Sequence, residues 1–481
     1  MKKIVFLLLI IGSAEIAFPQ WIQPSVDTLT HNALRDETVT QSLAVNGNSL
    51  HAVWKQSSPW GGWRIFYTKK DSAHWTTPRI VGDSSMPNLS PALAVNKATN
   101  EVAIAFSFPM DVSDEIFLAV DSADSFLITR ITTNTKDDMF PAIAIDGYGN
   151  IHLAWVGKDS LENYKIFYAT NYLGEWKIQM LAESELGPFG SGASPFIAVN
   201  LYGVAHIVYR GGDFGTYQIH HAYNLLPGDT AWQHENISTP NGNDFSAQLV
   251  VDDFNTLHLL ASGNDGFGFP PHAYYFKKPD AGNWSSPELT TGNGAGWGTS
   301  LFIDNHGNAH ILWEETSGNI YTGNIFYASN RTGAWVSDSL FCDGKSYGGN
   351  LVLDENGFGH ALLFNGNTFD TEEILALHSP QPITDVKNDE ENPPPQFSLL
   401  QNYPNPFNPT TTIRFTLPES RFTSLKIYDI FGKEVATLMN EILPAGNYER
   451  NWDATNFPSG MYFYRLTSGQ FSQTRKLLLL K

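Results

Sequence analysis

The sequence has one cysteine, few basic residues and no long apolar run, and each shortage excludes a class of protein. Cys342 is the only cysteine among 481 residues, so an intrachain disulfide and a CxxC metal site are both impossible. Lys and Arg number 29 against 49 Asp and Glu. This balance argues against nucleic acid as a partner, because a phosphate backbone is bound by basic side chains. The apolar run at residues 4–11 is too short to span a bilayer, and no later segment approaches the required length, so no membrane span is expected.

The start of the chain has the pattern of an export signal. Two lysines precede the apolar run, and small residues follow it at 12–14. This order is typical of a secretory signal peptide. We therefore predict a signal peptide over residues 1–20, cleaved between 14 and 20, and a protein that is secreted or displayed on the outer cell surface.

One pattern recurs along most of the chain. Residues 141–155 read as two short strands joined by a tight turn of Asp, Gly and Asn, which tolerate the backbone conformations of a hairpin. A third strand follows each copy, and a fourth strand, usually opened by Trp, follows in the first six. Seven copies spaced by 50 to 54 residues predict an all-β, seven-bladed β-propeller over residues 21–378. The polar turn residues that mark the copies are Asn46, Asn96, Asp146, Asn200, Asp252, Asp304 and Asp354.

The seventh copy stops before its fourth strand. Residues 21–26, which begin with Trp21, read like the fourth strand of the first copy at residues 75–80. We therefore predict that an N-terminal strand completes the last blade and closes the ring, which also removes an exposed sheet edge.

The last quarter of the chain has a different organisation. Residues 379–396 contain three consecutive prolines and an acidic run, which is typical of an extended linker. Short alternating strands separated by Gly-containing turns fill residues 397–481. They predict a small C-terminal β-sandwich of the immunoglobulin-like type.

A family resemblance follows from the residues of this last segment. Residues 401–409 read QNYPNPFNP, and further matches occur at the Gly-containing turns and in the lysine-rich final strand. This pattern resembles the type A C-terminal sorting domain of the type IX secretion system. The resemblance implies that residues 397–481 are read by the outer-membrane export machinery as a partner and are usually removed afterwards. The exported protein is then released or tethered to the cell surface.

A weaker resemblance concerns the propeller. The turn at residues 329–335 reads SNRTGAW and is similar to the Asp-box of sialidase-like (BNR-repeat) propellers, with Arg331 in place of the aspartate. The Arg-Ile-Pro signature of sialidases, HExxH and Gly-x-Ser-x-Gly are all missing from the sequence. This resemblance therefore concerns architecture, and no cofactor or metal site is expected.

Six histidines occupy one equivalent strand position. Residues that recur in six blades lie on a ring and do not converge on one site, so we predict structural histidines with hydrogen bonds between blades. The turn aspartates and asparagines are predicted to form Asx turns. The histidines are His51, His152, His206, His258, His310 and His360.

The candidate ligand site lies on the face opposite the short turns. Long, unequal loops emerge there and carry aromatic residues next to glycines, a composition that suits a sugar-stacking platform edged by carboxylates. Hydrophobic caps over the blades would have the same composition. Arg210 and Glu314 stand out as charges at positions where most blades have small or neutral residues. The candidate ligand-binding residues are Trp60, Arg210, Asp213, Trp297, Glu314 and Tyr347.

The sequence leaves three functions open. The first is a glycan-binding protein whose partner is an extracellular glycan. The second is a polysaccharide-degrading enzyme, either a glycoside hydrolase or a lyase, with Glu314, Asp213 and Arg210 as catalytic candidates. The third is a scaffold for protein–protein adhesion.

Overall fold

The computed structural model describes the chain as β-strands joined by turns, and no helix occurs among the described residues. Within them, nothing resembles a helix long and apolar enough to cross a membrane. The predicted signal peptide and Trp21 lie outside these residues. The described residues are 24–30, 35–37, 41–58, 62–71, 74–86, 90–122, 125–172, 174–181, 186, 194–200, 202–212, 217–237, 244–263, 272–280, 282–290, 300–316, 323–341, 346–366, 372–383, 397–402, 405–418, 420–443, 446–469 and 471–481.

Seven sheets occur among the described residues before position 384. The first strand of the chain, β1 (Ser25–Thr28), belongs to sheet 7. Sheet 1 consists of β2 (Asp36–Glu37), β3 (Leu43–Asn46), β4 (Ser49–Ser57), β5 (Trp63–Asp71), β6 (His74–Trp75) and β7 (Arg79–Met86). Sheet 2 consists of β8 (Ala92–Val95), β9 (Val102–Pro109), β10 (Asp114–Ser122) and β11 (Ser125–Arg130). Sheet 3 consists of β12 (Asp138–Ile145), β13 (Ile151–Lys158), β14 (Tyr164–Thr170) and β15 (Lys177–Leu181).

The remaining sheets of this part repeat the same antiparallel order. Sheet 4 consists of β16 (Phe196–Val199), β17 (Ala205–Gly211), β18 (Gln218–Asn224) and β19 (Trp232–Ile237). Sheet 5 consists of β20 (Asp244–Val251), β21 (Leu257–Gly263), β22 (His272–Lys278) and β23 (Glu288–Leu289). Sheet 6 consists of β24 (Ser300–Ile303), β25 (Ala309–Thr316), β26 (Gly323–Ser329) and β27 (Val336–Phe341). Sheet 7 consists of β28 (Ser346–Leu353), β29 (Gly359–Asn365), β30 (Glu373–His378) and β1.

The innermost strands arrange the sheets in a ring. The strands β3, β8, β12, β16, β20, β24 and β28 contact one another in chain order, and β28 returns to contact β3. Strand β1 pairs antiparallel with β30, with Ser25 opposite His378 and Thr28 opposite Leu375. The predicted all-β propeller fold and its closure by an N-terminal strand are therefore confirmed.

The core lies between neighbouring sheets. Each second strand is covered on both faces, as in β13, where every residue except the last is buried. Trp155 of sheet 3 packs in one cluster with Ala105 and Ile116 of sheet 2. Burial of a large apolar side chain contributes about 1.5–3 kcal/mol, so the interfaces between sheets hold the ring together.

The ring has two faces that differ in the connections they carry. We call the end with the turns between first and second strands and between third and fourth strands the short-turn face. The opposite end carries the connections between second and third strands and from one sheet to the next, and we call it the long-loop face.

The C-terminal part folds as two further sheets with their own core. These sheets share a buried cluster that includes Leu425, Ile427, Trp452 and Tyr464. The predicted small β-sandwich is therefore confirmed. One sheet consists of β31 (Ser398–Leu399), β32 (Thr410–Leu417) and β35 (Gly446–Asp453), and the other of β34 (Glu434–Leu443), β33 (Arg421–Tyr428), β36 (Gly460–Ser468) and β37 (Phe471–Leu479).

Candidate ligand site on the long-loop face

A repeated hydrogen-bond network occupies the short-turn face. In sheet 3, Asp146 Oδ1 accepts hydrogen bonds from the backbone N–H groups of Tyr148 and Asn150, so the predicted Asx turn is present. His152 Nδ1 lies 2.7 Å from Tyr168 Oη, and His152 Nε2 lies 3.4 Å from Asp146 Oδ2. Sheets 5 and 6 repeat the network with His258, Tyr275 and Asp252 and with His310, Tyr327 and Asp304.

The histidines are structural, but the predicted direction of their hydrogen bonds is wrong. Five of the six form hydrogen bonds within their own sheet, where each links a turn residue to a side chain on the third strand. His51 alone among these six reaches a neighbouring sheet, where its Nε2 lies 3.2 Å from Asn100 Oδ1. In the other five, both ring nitrogens have partners within the sheet, because the turn and the third strand lie on either side of the histidine.

The carboxylates of this face are stabilised in their charged form. Burial alone would raise the pKa of Asp146, but hydrogen bonds from His152 and Asn150 outweigh it and hold the pKa below its ordinary value. His221, whose Nδ1 lies 3.8 Å from a carboxylate oxygen of Glu235, acts together with Lys278 to lower the pKa of Glu235 to about 2. These groups are satisfied ion-pair and turn residues, which is the chemistry of a scaffold.

The long-loop face differs from sheet to sheet at one structurally equivalent position. This position lies four residues after the repeated histidine and pairs with an Ile or an Ala of the third strand. Three of the seven residues are charged, so the side chains differ at a position where the strand pairing is the same in every sheet. From sheet 1 to sheet 7 the residues are Lys55, Ser107, Val156, Arg210, Ser262, Glu314 and Phe364.

Glu314 is a buried carboxyl at the boundary between sheets 6 and 7. The residue is 4% exposed, and its Oε2 accepts a hydrogen bond of 3.1 Å from the backbone N–H of Gly348 in β28. Burial raises the pKa of Glu314 to about 7, against a smaller opposing effect of the Gly348 hydrogen bond. Glycine is required at position 348, because its φ is +63° and a Cβ there would lie 2.3 Å from Phe364 Cε1.

The predicted residue Tyr347 lies in β28 directly before Gly348, so the backbone places it beside Glu314. Its ring is not among the side chains that the structure describes. The register of β28 against β29 shifts between Tyr347 and Asn350, and this bulge brings the Gly348 N–H toward sheet 6.

Arg210 has separate partners in sheet 4. Its guanidinium carbon lies 4.3 Å from the ring centroid of Tyr217, and burial lowers the pKa of the group. Sheet 5 separates Arg210 from Glu314, and the contacts described for the two side chains do not join them into one acid–base pair. The other predicted residues, Trp60, Asp213 and Trp297, lie outside the described residues.

Three further carboxyls of the long-loop face were not predicted. Asp138 Oδ1 accepts a hydrogen bond of 2.7 Å from Trp155 Nε1, and burial raises the pKa of Asp138 to about 6. Burial likewise raises the pKa of Asp36 to about 6 and that of Glu372 to about 7. One signal was available in the sequence: Asp138 and Asp244 each stand eight residues before the turn aspartate of their copy.

A charged cluster surrounds Trp63 at the same end of sheet 1. Lys55 Nζ lies 4.6 Å from the Trp63 ring centroid and 2.7 Å from a carboxylate oxygen of Glu37. Arg35 Nε pairs with Glu372 at 3.2 Å and lies near the same ring. The cluster joins an aromatic face to cationic groups, a combination suited to polar ligands with apolar faces.

The long-loop face thus combines fixed cationic groups with carboxyls whose pKa values are raised to about 6 or 7. Such groups can bind hydroxyls and acidic groups, or donate a proton to a bound molecule. Among the described residues, no group of three or more His, Cys, Asp or Glu is placed to hold a metal ion.

Comparisons with known proteins agree with the fold and define the C-terminal part. Residues 401–480 match the family described as the secretion system C-terminal sorting domain. The protein is therefore a propeller that carries a type IX sorting domain, and it is exported to the cell surface or secreted. A search of curated proteins found no significant match.

Several solved structures resemble the chain at low sequence identity. The lectin BP39L from Burkholderia pseudomallei is 13% identical, with a TM-score of 0.51 over 72% of this chain and 97% of the lectin. A family PL25 ulvan lyase is 9% identical, with a TM-score of 0.52 over 75% of this chain and 97% of the lyase. PorZ, a surface component of the type IX secretion system of Porphyromonas gingivalis, is 13% identical, with a TM-score of 0.44. That match covers 92% of this chain but only 60% of PorZ. These likenesses concern the fold.

Proposed function

We propose that the protein is an exported glycan-binding propeller whose ligand binds on the long-loop face. The observation that carries this proposal is the divergence of one equivalent position into Lys55, Arg210 and Glu314 on a backbone that otherwise repeats. Repeated residues serve the scaffold, whereas residues that differ between copies are available to serve one ligand. A lectin and a polysaccharide lyase of the same fold add support at the level of architecture.

The described groups have the chemistry that glycan binding needs. The guanidinium of Arg210 is held against the Tyr217 ring, so its N–H groups are oriented before a ligand arrives. A planar guanidinium suits the carboxylate or sulfate of an acidic sugar as well as neutral hydroxyls. Trp60 and Trp297 remain the predicted stacking platforms for the apolar face of a sugar ring.

A polysaccharide-degrading activity is the second candidate, and Glu314 is the observation that favours it. A carboxyl whose pKa is raised to about 7 holds its proton near neutral pH and can act as a general acid. Cleavage of a glycosidic bond by hydrolysis also needs a second carboxylate, for which Asp213 is the candidate from the sequence. Binding without cleavage needs neither proton transfer nor this pairing.

A glycan array and a product-release assay on the same intact chain distinguish the two candidates. We expect binding to a subset of acidic glycans, weakened roughly 10- to 100-fold by Arg210→Gln, since a hydrogen bond to a charged group is worth about 1.5–3 kcal/mol. Arg79→Gln is the matched control, because Arg79 also lies over a tyrosine ring, that of Tyr67, but on the outer part of sheet 1. Equal binding by both variants and the unchanged chain would contradict the proposed site.

The product-release assay decides on catalysis. Release of reducing or unsaturated ends that is lost in Glu314→Gln, with glycan binding retained, supports the enzyme. Binding without any product supports the lectin-like function.

A further inference from the structure

The C-terminal sandwich contacts the propeller at two described points. The backbone N–H of Gln401 donates a hydrogen bond of 3.1 Å to Tyr202 Oη, and Arg475 Nη2 lies 3.6 Å from Asp280 Oδ2. Tyr202 lies in the turn between β16 and β17, and Asp280 lies in the turn after β22. Both turns belong to the short-turn face, so the sorting domain is seated on the face opposite the candidate ligand site.

A cavity with mixed polar and apolar walls lies between the two bodies. Its volume is about 520 Å³. The propeller lines it with turn residues of sheets 2 to 5, including Tyr148 and Asp252, and the sorting domain closes it with Leu400, Gln401, Thr412 and Arg414. Because both bodies supply its walls, this cavity is enclosed only while the sorting domain is in place.

Charge and tethering favour this arrangement. The turns of sheets 3 and 5 present aspartates, and the sorting domain presents Arg414 and Arg475 toward them. The segment at residues 384–396 joins the two bodies covalently, and a short linker gives an effective concentration on the order of millimolar. Contacts that would be too weak to hold two separate molecules together can therefore hold the two domains together within one chain.

We propose that the short-turn face of sheets 4 and 5 is a docking surface for the chain's own sorting domain, which covers the cavity until the domain is released. The export signal then protects this acidic surface during transit. Its release exposes Tyr202, Asp252 and Asp280 together on the delivered propeller. The proposal does not depend on the ligand of the long-loop face.

Carbodiimide crosslinking of the full-length chain tests the contact directly. The reagent condenses a lysine amine with a carboxyl to an amide, taking up the water that is lost, and it adds no spacer. In R475K the introduced amine should be joined to Asp280, and mass spectrometry should find the corresponding peptide pair. R465K is the matched control, because Arg465 lies on the same domain but contacts Tyr428 and Thr474.

An internal standard makes a negative result decisive. Lys426 Nζ and Glu434 Oε2 are 2.9 Å apart within the sorting domain, so their crosslink should form in both variants. If that crosslink forms and the one to Asp280 does not, docking is overturned. A second readout on the unmodified chain is hydroxyl-radical oxidation of Tyr202, which should rise a few-fold in Asp280→Arg and return in the charge-swapped Asp280→Arg, Arg475→Asp chain. Oxidation of Tyr202 that is equal in all three chains also overturns the proposal.

Discussion

Several carboxyl groups have pKa values that are shifted in opposite directions on the two faces of the propeller. On the short-turn face, hydrogen bonds and ion pairs overcome burial and lower the pKa of Asp146, Asp304 and Glu235. On the long-loop face, burial dominates and raises the pKa of Asp36, Asp138, Glu314 and Glu372. The difference comes from the partners that each side chain meets.

This difference separates scaffold from candidate site. A carboxylate with two or three donors stabilises the fold above its pKa, because the folded chain binds the charged form. A carboxyl held in a poorly solvated place costs stability once it ionises, so it does not contribute to the scaffold at neutral pH. In the proposed function, the carboxyls with raised pKa values belong to the ligand-binding end of the ring.

The largest expected effect comes from removing the N-terminal strand. The short-turn network of sheet 7 depends on the N-terminal strand β1. Asp27 Oδ2 lies 2.8 Å from Lys70 Nζ, 3.1 Å from Trp75 Nε1 and 3.0 Å from His378 Nε2. A chain that begins at Arg35 loses these contacts of Asp27 and the pairing of β1 with β30.

We expect the deletion to lower the free energy of unfolding by on the order of 4 kcal/mol, since each cross-strand pair is worth about 0.2–1 kcal/mol and an orphaned buried polar group about 1–3 kcal/mol. Urea unfolding followed by tryptophan fluorescence measures it. Asp27→Asn keeps the strand and should lose a smaller part of the stability. An unchanged unfolding midpoint in the deletion would show that the ring does not depend on this closure.

The second-largest effect is expected from breaking the repeated hydrogen-bond network within one sheet. His152→Ala removes a hydrogen-bond partner of the buried Tyr168 and Asp146, while Asp146 Oδ2 keeps the hydrogen bond from Asn150. We expect a loss of about 2–4 kcal/mol in the free energy of unfolding, with glycan affinity unchanged in the folded fraction. His74→Ala is the control, because His74 is exposed at the end of sheet 1. A loss of ligand binding in His152→Ala without a loss of stability would assign function to the short-turn face instead.

The repeat predicts the fold because its spacing is encoded in local residues. The turn at Asp146 and the alternating strands around it are set by short-range chemistry, so seven copies and the missing fourth strand could be recognised in the sequence. The partner of His152 could not, because the sequence does not say which neighbour a buried ring faces. The hydrogen bond to Glu314 could not be predicted either, because its donor, Gly348, belongs to the next sheet and lies 34 residues away along the chain.

The candidate site was predicted in part for the same reason. Arg210 and Glu314 stand out in the sequence because they depart from the repeat, and departure is visible without a structure. Asp36 and Glu372 do not depart from any recognisable repeat, and only their burial distinguishes them. Trp60, Asp213 and Trp297 remain predictions.

The smallest expected effect is the pH dependence of the free energy of unfolding, which has opposite signs for carboxyls of the two faces. The pKa of Glu314 in the folded chain is about 7, above the ordinary value of 4.5, so the folded chain binds this proton more tightly than the unfolded chain. Its contribution to stability is complete below about pH 4.5, declines as the pH rises toward 7, and stays low above it. Glu235 behaves in the opposite way, because its pKa of about 2 makes the ionised form stabilising above pH 4.5 and lost toward pH 2.

Glu314→Gln removes the ionisable group and can keep the hydrogen bond from Gly348. At pH 8 it should raise the free energy of unfolding by about 2 kcal/mol relative to the unchanged chain, because a tenfold change in proton affinity corresponds to about 1.4 kcal/mol. The gain should disappear below about pH 4.5, where the glutamate is protonated in both the folded and the unfolded chain. Glu235→Gln, the matched change at the short-turn face, should instead lower stability at pH 8, and this loss should shrink toward pH 2. Urea titrations of the three chains at pH 4, 6 and 8 measure both effects. A Glu314→Gln chain that is less stable at pH 8 would mean that the carboxylate is stabilised by groups of the long-loop face, and the contrast between the two faces would then fail.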